Sequence, residues 1–159
     1  MIAMTHDYFY CHEWTPELQR VAQDLINKIH EIAPELEVLF MGAGALKLPG
    51  KNDIDLDILC NTQDLERYAR ILASALGPPQ KLTDHMAVWD YAYKGFAIDA
   101  ILSDPNTPGS HVPKQRQRFE KLKASPELQA QYRQLKLACN GLPYAQYEAK
   151  KKAFLETIV

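Results

Sequence analysis

The sequence has few cysteines, no long apolar run and almost no net charge. Three of its 159 residues are cysteines, and Cys11, Cys60 and Cys139 form no Cys-x-x-Cys pair, which is typical of a reduced cytoplasmic protein. No stretch reaches the roughly 18 consecutive apolar residues that a membrane-spanning helix needs. The first residues also lack the basic and then apolar order of a secretory signal. We therefore expect a cytoplasmic protein that does not associate with membranes.

The remaining composition is typical of one globular domain. Apolar residues make up 47% of the chain and charged residues 24%. A chain of this length and composition can bury a core without disulfide or metal support. The sequence contains no repeat, no low-complexity tract and no linker long enough to separate two domains. We predict a single domain over residues 1–159.

The net charge of −2 conceals two regions of opposite sign. Residues 1–112 carry 8 Lys and Arg against 16 Asp and Glu, whereas residues 113–159 carry 10 against 4. Such an asymmetry can place an acidic site opposite a basic, phosphate-binding segment. The alternative is that basic helices lie on an acidic body with no shared site.

Hydrophobic periodicity and turn signals predict alternating helices and strands. Thr15-Pro16-Glu17 has the residue types of a helix start, and Ser125-Pro126-Glu127 repeats it. The predicted order is a helix over 16–34, a strand over 36–41, a glycine-rich loop over 42–50, a strand over 53–59, a helix capped by Thr62 and ended by Gly77, a hairpin of 86–93 and 96–102, a proline-rich loop over 103–113, and helices to Val159. This order indicates an α+β fold, in which a small mixed sheet is flanked by helices and followed by a helical C-terminal segment.

The acidic strand over 53–59 is the most informative segment for function. Asp53, Asp55 and Asp57 alternate with aliphatic residues, which places three carboxylates on one face at intervals of about 7 Å. These carboxylates repel one another unless a cation lies among them. Mg²⁺ is the expected cation, because it takes oxygen ligands and bridges carboxylates to phosphates. The alternative is an exposed strand whose charged face contacts only water.

Two neighbouring features favour the metal. A glycine-rich loop precedes the acidic strand, and the backbone amides of such a loop can approach a phosphate. Asp99 is a lone carboxylate in an otherwise apolar strand, which is costly to bury unless it is paired or bound to a metal. An edge position or a hydrogen bond to a turn is the alternative for Asp99. Beside the acidic strand, it would complete a cradle for one or two metal ions.

These features together resemble the nucleotidyltransferase superfamily of the DNA polymerase beta type and, within it, the GrpB family. The resemblance to the superfamily rests on the glycine loop, the acidic strand and the later single Asp. Four further segments resemble the GrpB family, over about residues 8–159: Trp14-Thr15-Pro16; Leu48-Pro49-Gly50 with Lys51; Ala124-Ser125-Pro126-Glu127-Leu128 with Tyr132 and Lys136; and Tyr147, Lys151 and Phe154.

The resemblance implies a nucleotidyltransferase fold and Mg²⁺-dependent transfer of a nucleotidyl group from a nucleoside triphosphate to an unknown acceptor. The metal-binding and catalytic candidates are Asp53, Asp55, Asp57 and Asp99. The superfamily pattern aligns with Asp53 and Asp55, and the GrpB pattern aligns with Asp55 and Asp57. Asp55 therefore belongs to both alignments. The candidates for holding the phosphates are Gly42, Gly44, Ala45, Lys47, Lys51, Arg116 and Arg118.

The loop departs from the superfamily pattern in one respect. The superfamily usually has a serine after the loop glycine, but Ala43 follows Gly42 and Ala45 follows Gly44. A second hypothesis is therefore a catalytically inactive module that binds a nucleotide or metabolite on the same fold. A third is a structural or interaction domain, in which Asp55 and Asp99 point apart or Asp99 is capped by a turn. The short basic runs lack stacking aromatics at a suitable spacing and do not favour nucleic-acid binding.

Overall fold

The computed structural model describes residues 7–158, which form a five-stranded mixed sheet and six helices. The strands are β1 (Glu37–Met41), β2 (Asp53–Leu59), β3 (Lys81–Leu82), β4 (Met86–Tyr93) and β5 (Phe96–Ser103). The helices are α1 (Pro16–Ile32), α2 (Gly42–Ala45), α3 (Leu65–Leu76), α4 (Val112–Ala124), α5 (Pro126–Ala138) and α6 (Tyr144–Glu156). The predicted α+β fold with a small mixed sheet is confirmed.

The order of strands across the sheet is β1-β2-β5-β4-β3. Strands β2 and β5 run parallel, and the other neighbours are antiparallel. In this register Asp55 of β2 lies beside Asp99 of β5, and Asp99 lies beside Asp90 of β4. The topology therefore brings carboxylates that are distant in sequence into one row across the sheet.

One face of the sheet packs against α1 and α3. The aliphatic residues that alternate with the aspartates of β2 are buried on this face, and Ile54 and Ile58 have no exposed surface. Trp89 of β4 is also fully buried, and its indole N–H donates a hydrogen bond of 2.7 Å to the carbonyl of Gly77. This apolar packing fixes the alternation of β2, so its acidic residues face the other side.

The N-terminal segment links the C-terminal helices to the loop before β2. Phe9 stacks on Tyr147 of α6 with ring centroids 3.6 Å apart. A little further along, His12 and Gly50 exchange two backbone hydrogen bonds of 2.7 and 3.0 Å. The position of α6 over the acidic face therefore depends on contacts that begin only a few residues into the described chain.

Two local predictions from the sequence were wrong, and one strand was missed. Gly42–Ala45 forms a single helical turn instead of a loop. The Leu46 amide donates a hydrogen bond to the Ala43 carbonyl, and the Lys47 amide donates one to the Gly44 carbonyl. Pro113 lies in the first turn of α4 rather than in a loop, a position where a missing N–H costs no helical hydrogen bond. Strand β3 was not predicted, because two residues are too few to show a strand period.

Two helix boundaries also differ from the prediction. Thr62 does not cap α3, because its hydroxyl and amide bond instead to Asp104, and a 3₁₀ turn precedes the helix. The last helix ends at Glu156, and Val159 lies outside the described residues. No helix among residues 7–158 combines the length and apolar character needed to cross a membrane.

The two similar helix starts give a test of local stability. Ser125 Oγ accepts a hydrogen bond of 3.1 Å from the Leu128 amide, so Ser125→Ala should lower the free energy of unfolding by about 1 kcal/mol. Thr15, contrary to prediction, makes no side-chain cap, because the Leu18 amide bonds to its backbone carbonyl at 3.1 Å. Thr15→Ala should therefore cost less than about 0.5 kcal/mol. Denaturant unfolding compares the two variants, and equal losses would contradict this account.

Candidate functional site

A cavity of about 350 Å³ separates the acidic face of the sheet from the C-terminal helices. Its sheet side carries the carboxylates of Asp53, Asp55, Asp57 and Asp99. Its helix side carries Arg118, Phe119, Leu122, Tyr132, Lys136, Tyr147, Lys151 and Leu155. The acidic and basic regions of the sequence thus contribute opposite walls of one cavity.

The four predicted carboxylates all line this cavity, but they do not have equivalent surroundings. Asp53 and Asp55 lie at the start of β2, and Asp99 lies in register with Asp55 on the parallel neighbour β5. Because in-register residues of paired strands project to the same side, Asp55 and Asp99 do not point apart. This register differs from the divergent arrangement of Asp55 and Asp99 that is expected of a purely structural domain.

Burial and, after it, repulsion between neighbouring carboxylates determine the electrostatics of this face. Burial, followed by repulsion from Asp53 and Asp99, raises the pKa of Asp55 to about 8. Partial desolvation within the cavity, followed by the nearby carboxylates of Asp90 and Asp53, also raises the pKa of Asp99. The side chain of Asp99 keeps access to solvent through the cavity, so it is partly desolvated and not fully buried in the apolar strand. These carboxylates favour either a proton or a bound cation.

Gly42 determines how closely the backbone approaches Asp55. Its φ of +79° lies in the left-handed region, which side chains with a Cβ disfavour. A Cβ at this position would also overlap a carboxylate oxygen of Asp55. The position therefore favours glycine for its backbone conformation, and a Cβ there would displace the Asp55 carboxylate.

Lys51 partly neutralises the leading end of the acidic strand. Its ammonium lies 3.6 Å from a carboxylate oxygen of Asp53 and donates a hydrogen bond of 2.8 Å to the Tyr144 hydroxyl. Burial by itself would lower the pKa of Lys51, but Asp53 and the Tyr144 hydroxyl outweigh it and raise this pKa above the ordinary value. Lys51 is thus a permanent cation beside the carboxylates.

Asp57 differs from the other carboxylates of this face because its partner is a histidine. It is 5% exposed, and its Oδ1 lies 3.1 Å from Nε2 of His111 at the start of α4. No sequence pattern pointed to this pair, since the two residues are separated by 54 positions. Its metal-binding role stays a prediction, and Asp53, Asp55 and Asp99 are the carboxylates not engaged in this way.

The predicted phosphate-binding residues divide into two groups. Gly42, Lys51 and Arg118 line the cavity, whereas Gly44, Ala45, Lys47 and Arg116 are not among its lining residues. Gly44 is buried against Leu18. Lys47 places its ammonium 5.6 Å from the centre of the Trp14 ring, and Arg116 lies 3.1 Å from Glu37. The proposed phosphate contacts of this second group remain untested predictions.

Lys136 lines the cavity, although its sequence pattern was not used to predict a place for it there. It is 3% exposed, its ammonium donates a hydrogen bond of 2.9 Å to the Tyr147 hydroxyl, and it lies 4.5 Å from the centre of the Tyr132 ring. Burial, followed by repulsion from Lys151, lowers the pKa of Lys136 to about 8. The available signal was the four-residue spacing of Tyr132 and Lys136, which places a lysine on the buried face of α5.

The donor chemistry of the carboxylates fits a hard cation such as Mg²⁺. Within residues 7–158, however, no group of three His, Cys, Asp or Glu side chains closes around one ion. Asp55 and its neighbours supply suitable oxygens on adjacent positions of β2 and β5, and their side chains would have to converge to hold an ion. Magnesium binding at this face therefore stays a prediction.

Comparisons with solved structures show the fold. The chain is similar to the RNA terminal uridylyl transferase Cid1, with a TM-score of 0.56 and 15% identity over 79% of this chain and 40% of Cid1. It is also similar to a chain of the GLD-2/RNP-8 complex, with a TM-score of 0.51 and 16% identity over 77% of this chain and 51% of that chain. The chain thus spans about two fifths of the length of Cid1 and about half that of the other. These likenesses assign it the nucleotidyltransferase fold, as the sequence predicted.

Comparison of sequences also gives a distant relation. The UPF0157 protein VC_A0354 of Vibrio cholerae is 24% identical over 148 residues, which cover 90% of this chain and 78% of that protein. No protein-family model matches the chain. The comparisons thus support the fold that the resemblance implied, and the assignment to the GrpB family is not confirmed.

The contact between Gly42 and Asp55 gives a test of the site geometry. Gly42→Ala should lower the free energy of unfolding by more than about 2 kcal/mol, because it adds both backbone strain and overlap with Asp55. In the Asp55→Ala background the overlap is absent, so the same substitution should cost about 1 kcal/mol less. Gly77→Ala is the control, since it has a similar φ of +78° with nothing within 4 Å of its added Cβ.

Denaturant unfolding of the single and double variants measures this coupling. If Gly42→Ala costs the same with and without the Asp55 carboxylate, the close approach is not a constraint on the site.

Proposed function

We propose that the protein binds a nucleoside triphosphate with Mg²⁺ in the cavity and transfers its nucleotidyl group to an acceptor. The observation that carries the proposal is the register of Asp55 with Asp99, which sets carboxylates of two parallel strands opposite a wall of cations. The nucleotidyltransferase fold supports it. So do the structures of the similar protein Cid1, which was solved with MgGTP and MgATP bound.

The carboxylates would hold the metal, with Asp55 at the centre and Asp53 and Asp99 on either side. When bound, Mg²⁺ would neutralise charge on the phosphates and orient them. Asp55 is the best-placed ligand, because burial and then the carboxylates of Asp53 and Asp99 disfavour its charged form, and a cation would stabilise that form. Asp57 is a weaker candidate, because His111 already contacts it.

The transfer requires one bond to form and one to break. An acceptor oxygen would attack the α-phosphorus, and the bond from that phosphorus to the pyrophosphate oxygen would break as pyrophosphate leaves. Asp99 is exposed within the cavity and is suited to take the proton of an acceptor hydroxyl. Lys51, held by Asp53 and Tyr144, would place a fixed positive charge beside the phosphates.

One observation favours a second candidate function, a module that binds a nucleotide or metabolite without turnover. Ala43 lines the cavity next to Gly42 and has no hydroxyl. Nucleotidyltransferases usually have a serine in this part of the loop, and its hydroxyl and amide help to hold the phosphates. The backbone amides remain available, so binding without efficient transfer is the outcome that this candidate predicts.

The same proposal includes two further assignments, the family of the protein and its location in the cell. Membership of the GrpB family is supported by the ordered set of motifs along the chain and by the distant UPF0157 relative from Vibrio cholerae. A cytoplasmic location is supported by the three cysteines, which are all free thiols. The acceptor is not defined by either observation.

Nucleotide binding tests the proposal directly. Calorimetry with ATP, CTP, GTP and UTP in the presence of Mg²⁺ should show binding of at least one nucleotide by the unaltered protein. Asp55→Asn should weaken that binding by about tenfold or more, because it removes a charged ligand of the metal. Asp84→Asn is the surface control, since Asp84 is exposed and lies outside the cavity lining.

Release of pyrophosphate separates the two candidate functions. Binding with pyrophosphate release supports transfer or hydrolysis, whereas thermal stabilisation by the nucleotide without release supports the non-catalytic module. Absence of binding for all four nucleotides, or equal binding by Asp55→Asn, would refute the metal–nucleotide site.

A further inference from the structure

The cavity has a charged end, which is built around the start of β2. The ammonium of Lys51 lies 3.6 Å from a carboxylate oxygen of Asp53, and Asp53 also acts electrostatically on the ammonium of Lys136. The backbone at Gly42 closely approaches the carboxylate of Asp55 in the same region. This is the end of the cavity to which the proposed function assigns the metal and the phosphates.

The cavity has different chemistry beyond Asp57. Ile101 lies beside Asp57 on β5, and the carboxylate of Asp57 is already engaged by His111 at 3.1 Å. Gln115 and Phe119 follow His111 at intervals of four residues along α4, and all three line the cavity. Residues four apart lie on one face of a helix, so they form a single stripe. We call the part formed by Ile101, Gln115 and Phe119 the uncharged end.

Gln115 presents a side-chain amide that no residue of the described chain engages. Its backbone amide donates to the His111 carbonyl at 3.1 Å, but its side chain forms no hydrogen bond within residues 7–158. The residue is exposed where it lines the cavity. A primary amide carries a donor and an acceptor side by side. Gln115 can therefore pair with a ligand edge that presents one acceptor next to one donor.

Phe119 adds an aromatic surface to the same end. Its ring is partly buried and lines the cavity, and it stacks on no other ring among those described. Ile101 supplies an apolar surface on the sheet side. Proteins recognise nucleobases by stacking them on aromatic rings and by forming hydrogen bonds to their edges. The uncharged end combines both means of recognition.

We propose that the uncharged end binds the nucleobase and that Gln115 selects adenine. This inference deepens the proposed function and rests on it for the presence of a nucleotide in the cavity. Adenine presents its N6 amino donor beside its N7 acceptor, and a glutamine amide satisfies both. Guanine presents two acceptors at that edge, so the amide can satisfy only one of them. A pyrimidine has a single ring and would cover less of the Phe119 face.

The spacing along β2 fits this division of the cavity. Asp55 and Asp57 are two residues apart, which is about 7 Å along a strand. A ribose can occupy this interval, with its phosphates at Asp55 and its base beyond Asp57. The cavity volume of about 350 Å³ is also within the range of sites that bind small molecules.

Arg118 is the cavity residue whose chemistry would favour guanine instead. A guanidinium can donate to both acceptors of the guanine edge. The Nε of Arg118 is buried, however, and its side chain also borders a hollow between α4 and α6 that Glu148 and Lys152 line. Arg118 thus lies toward α6, whereas Gln115 lies on the stripe that begins at His111.

Titration with adenosine and inosine in EDTA tests the base site without metal or phosphate. Inosine carries an oxygen in place of the 6-amino group, so it presents the two acceptors of guanine at this edge. In NMR titrations the unaltered protein should bind adenosine about tenfold more tightly than inosine, because inosine leaves a polar pair unsatisfied.

Variants of α4 assign this discrimination to particular side chains. Gln115→Ala should weaken adenosine binding by about fivefold or more and bring it within about twofold of inosine binding. Phe119→Leu should weaken both nucleosides by a similar factor, about fivefold, because stacking does not depend on the 6-substituent. Gln117→Ala is the matched control, since Gln117 is an exposed glutamine of α4 outside the cavity lining.

The same discrimination should appear with complete nucleotides. In the presence of Mg²⁺ the unaltered protein should bind ATP about tenfold more tightly than GTP. Gln115→Ala should remove most of this preference while nucleotide binding itself is retained. A merely structural role for Gln115 would weaken both nucleotides equally.

Three results would overturn the inference. They are an absence of adenosine binding, equal binding of adenosine and inosine by the unaltered protein, and full discrimination by Gln115→Ala. Because the nucleoside titrations contain neither metal nor phosphate, these results would leave the metal–nucleotide proposal standing. Conversely, failure of MgNTP binding with nucleoside discrimination intact would refute the proposed function and leave the adenine site in place.

Discussion

The burial and mutual repulsion of carboxylates on two parallel strands is the constraint on which the rest of this site depends. The apolar packing against α1 and α3 fixes which face of β2 is buried, and this forces Asp53 and Asp55 toward the opposite side. Pairing of β2 with β5 then adds Asp99 to the same face. Gly42 is required because Asp55 occupies the space that a larger residue would need.

The C-terminal helices provide the opposite charge without cancelling it. Lys51 contacts Asp53, but Lys136 and Arg118 remain on the far wall of the cavity, and neither forms an ion pair within the described chain. The two walls therefore each carry charge that the other does not satisfy at contact distance. A ligand that is anionic and carries a divalent cation would satisfy both walls at once. This complementarity is the physical basis for proposing a metal–nucleotide complex as the occupant.

Local sequence patterns predicted the elements of the fold well, because they record burial at short range. The alternation in β2 and the proline–glutamate helix starts identified the strand and two of the helices correctly. Contacts between distant residues were not predictable in this way. The pair of Asp57 with His111, the packing of Gly44 on Leu18, and the burial of Lys136 under α6 all depend on tertiary placement. The acidic face was therefore predicted more completely than the basic wall.

The central claim is that burial and neighbouring carboxylates disfavour the charged form of Asp55. The pH dependence of stability, measured on metal-free protein, tests this claim most directly. Because the pKa of Asp55 is raised to about 8 from an ordinary value near ~4, the folded state binds more protons than the unfolded state across that range. The free energy of unfolding of the unaltered protein should therefore fall relative to that of Asp55→Asn, by more than about 1 kcal/mol, as the pH rises from 4 to 8. Mg²⁺ at pH 8 should restore stability to the unaltered protein and not to Asp55→Asn. Parallel pH curves for the two proteins, with no effect of Mg²⁺ on either, would contradict the account.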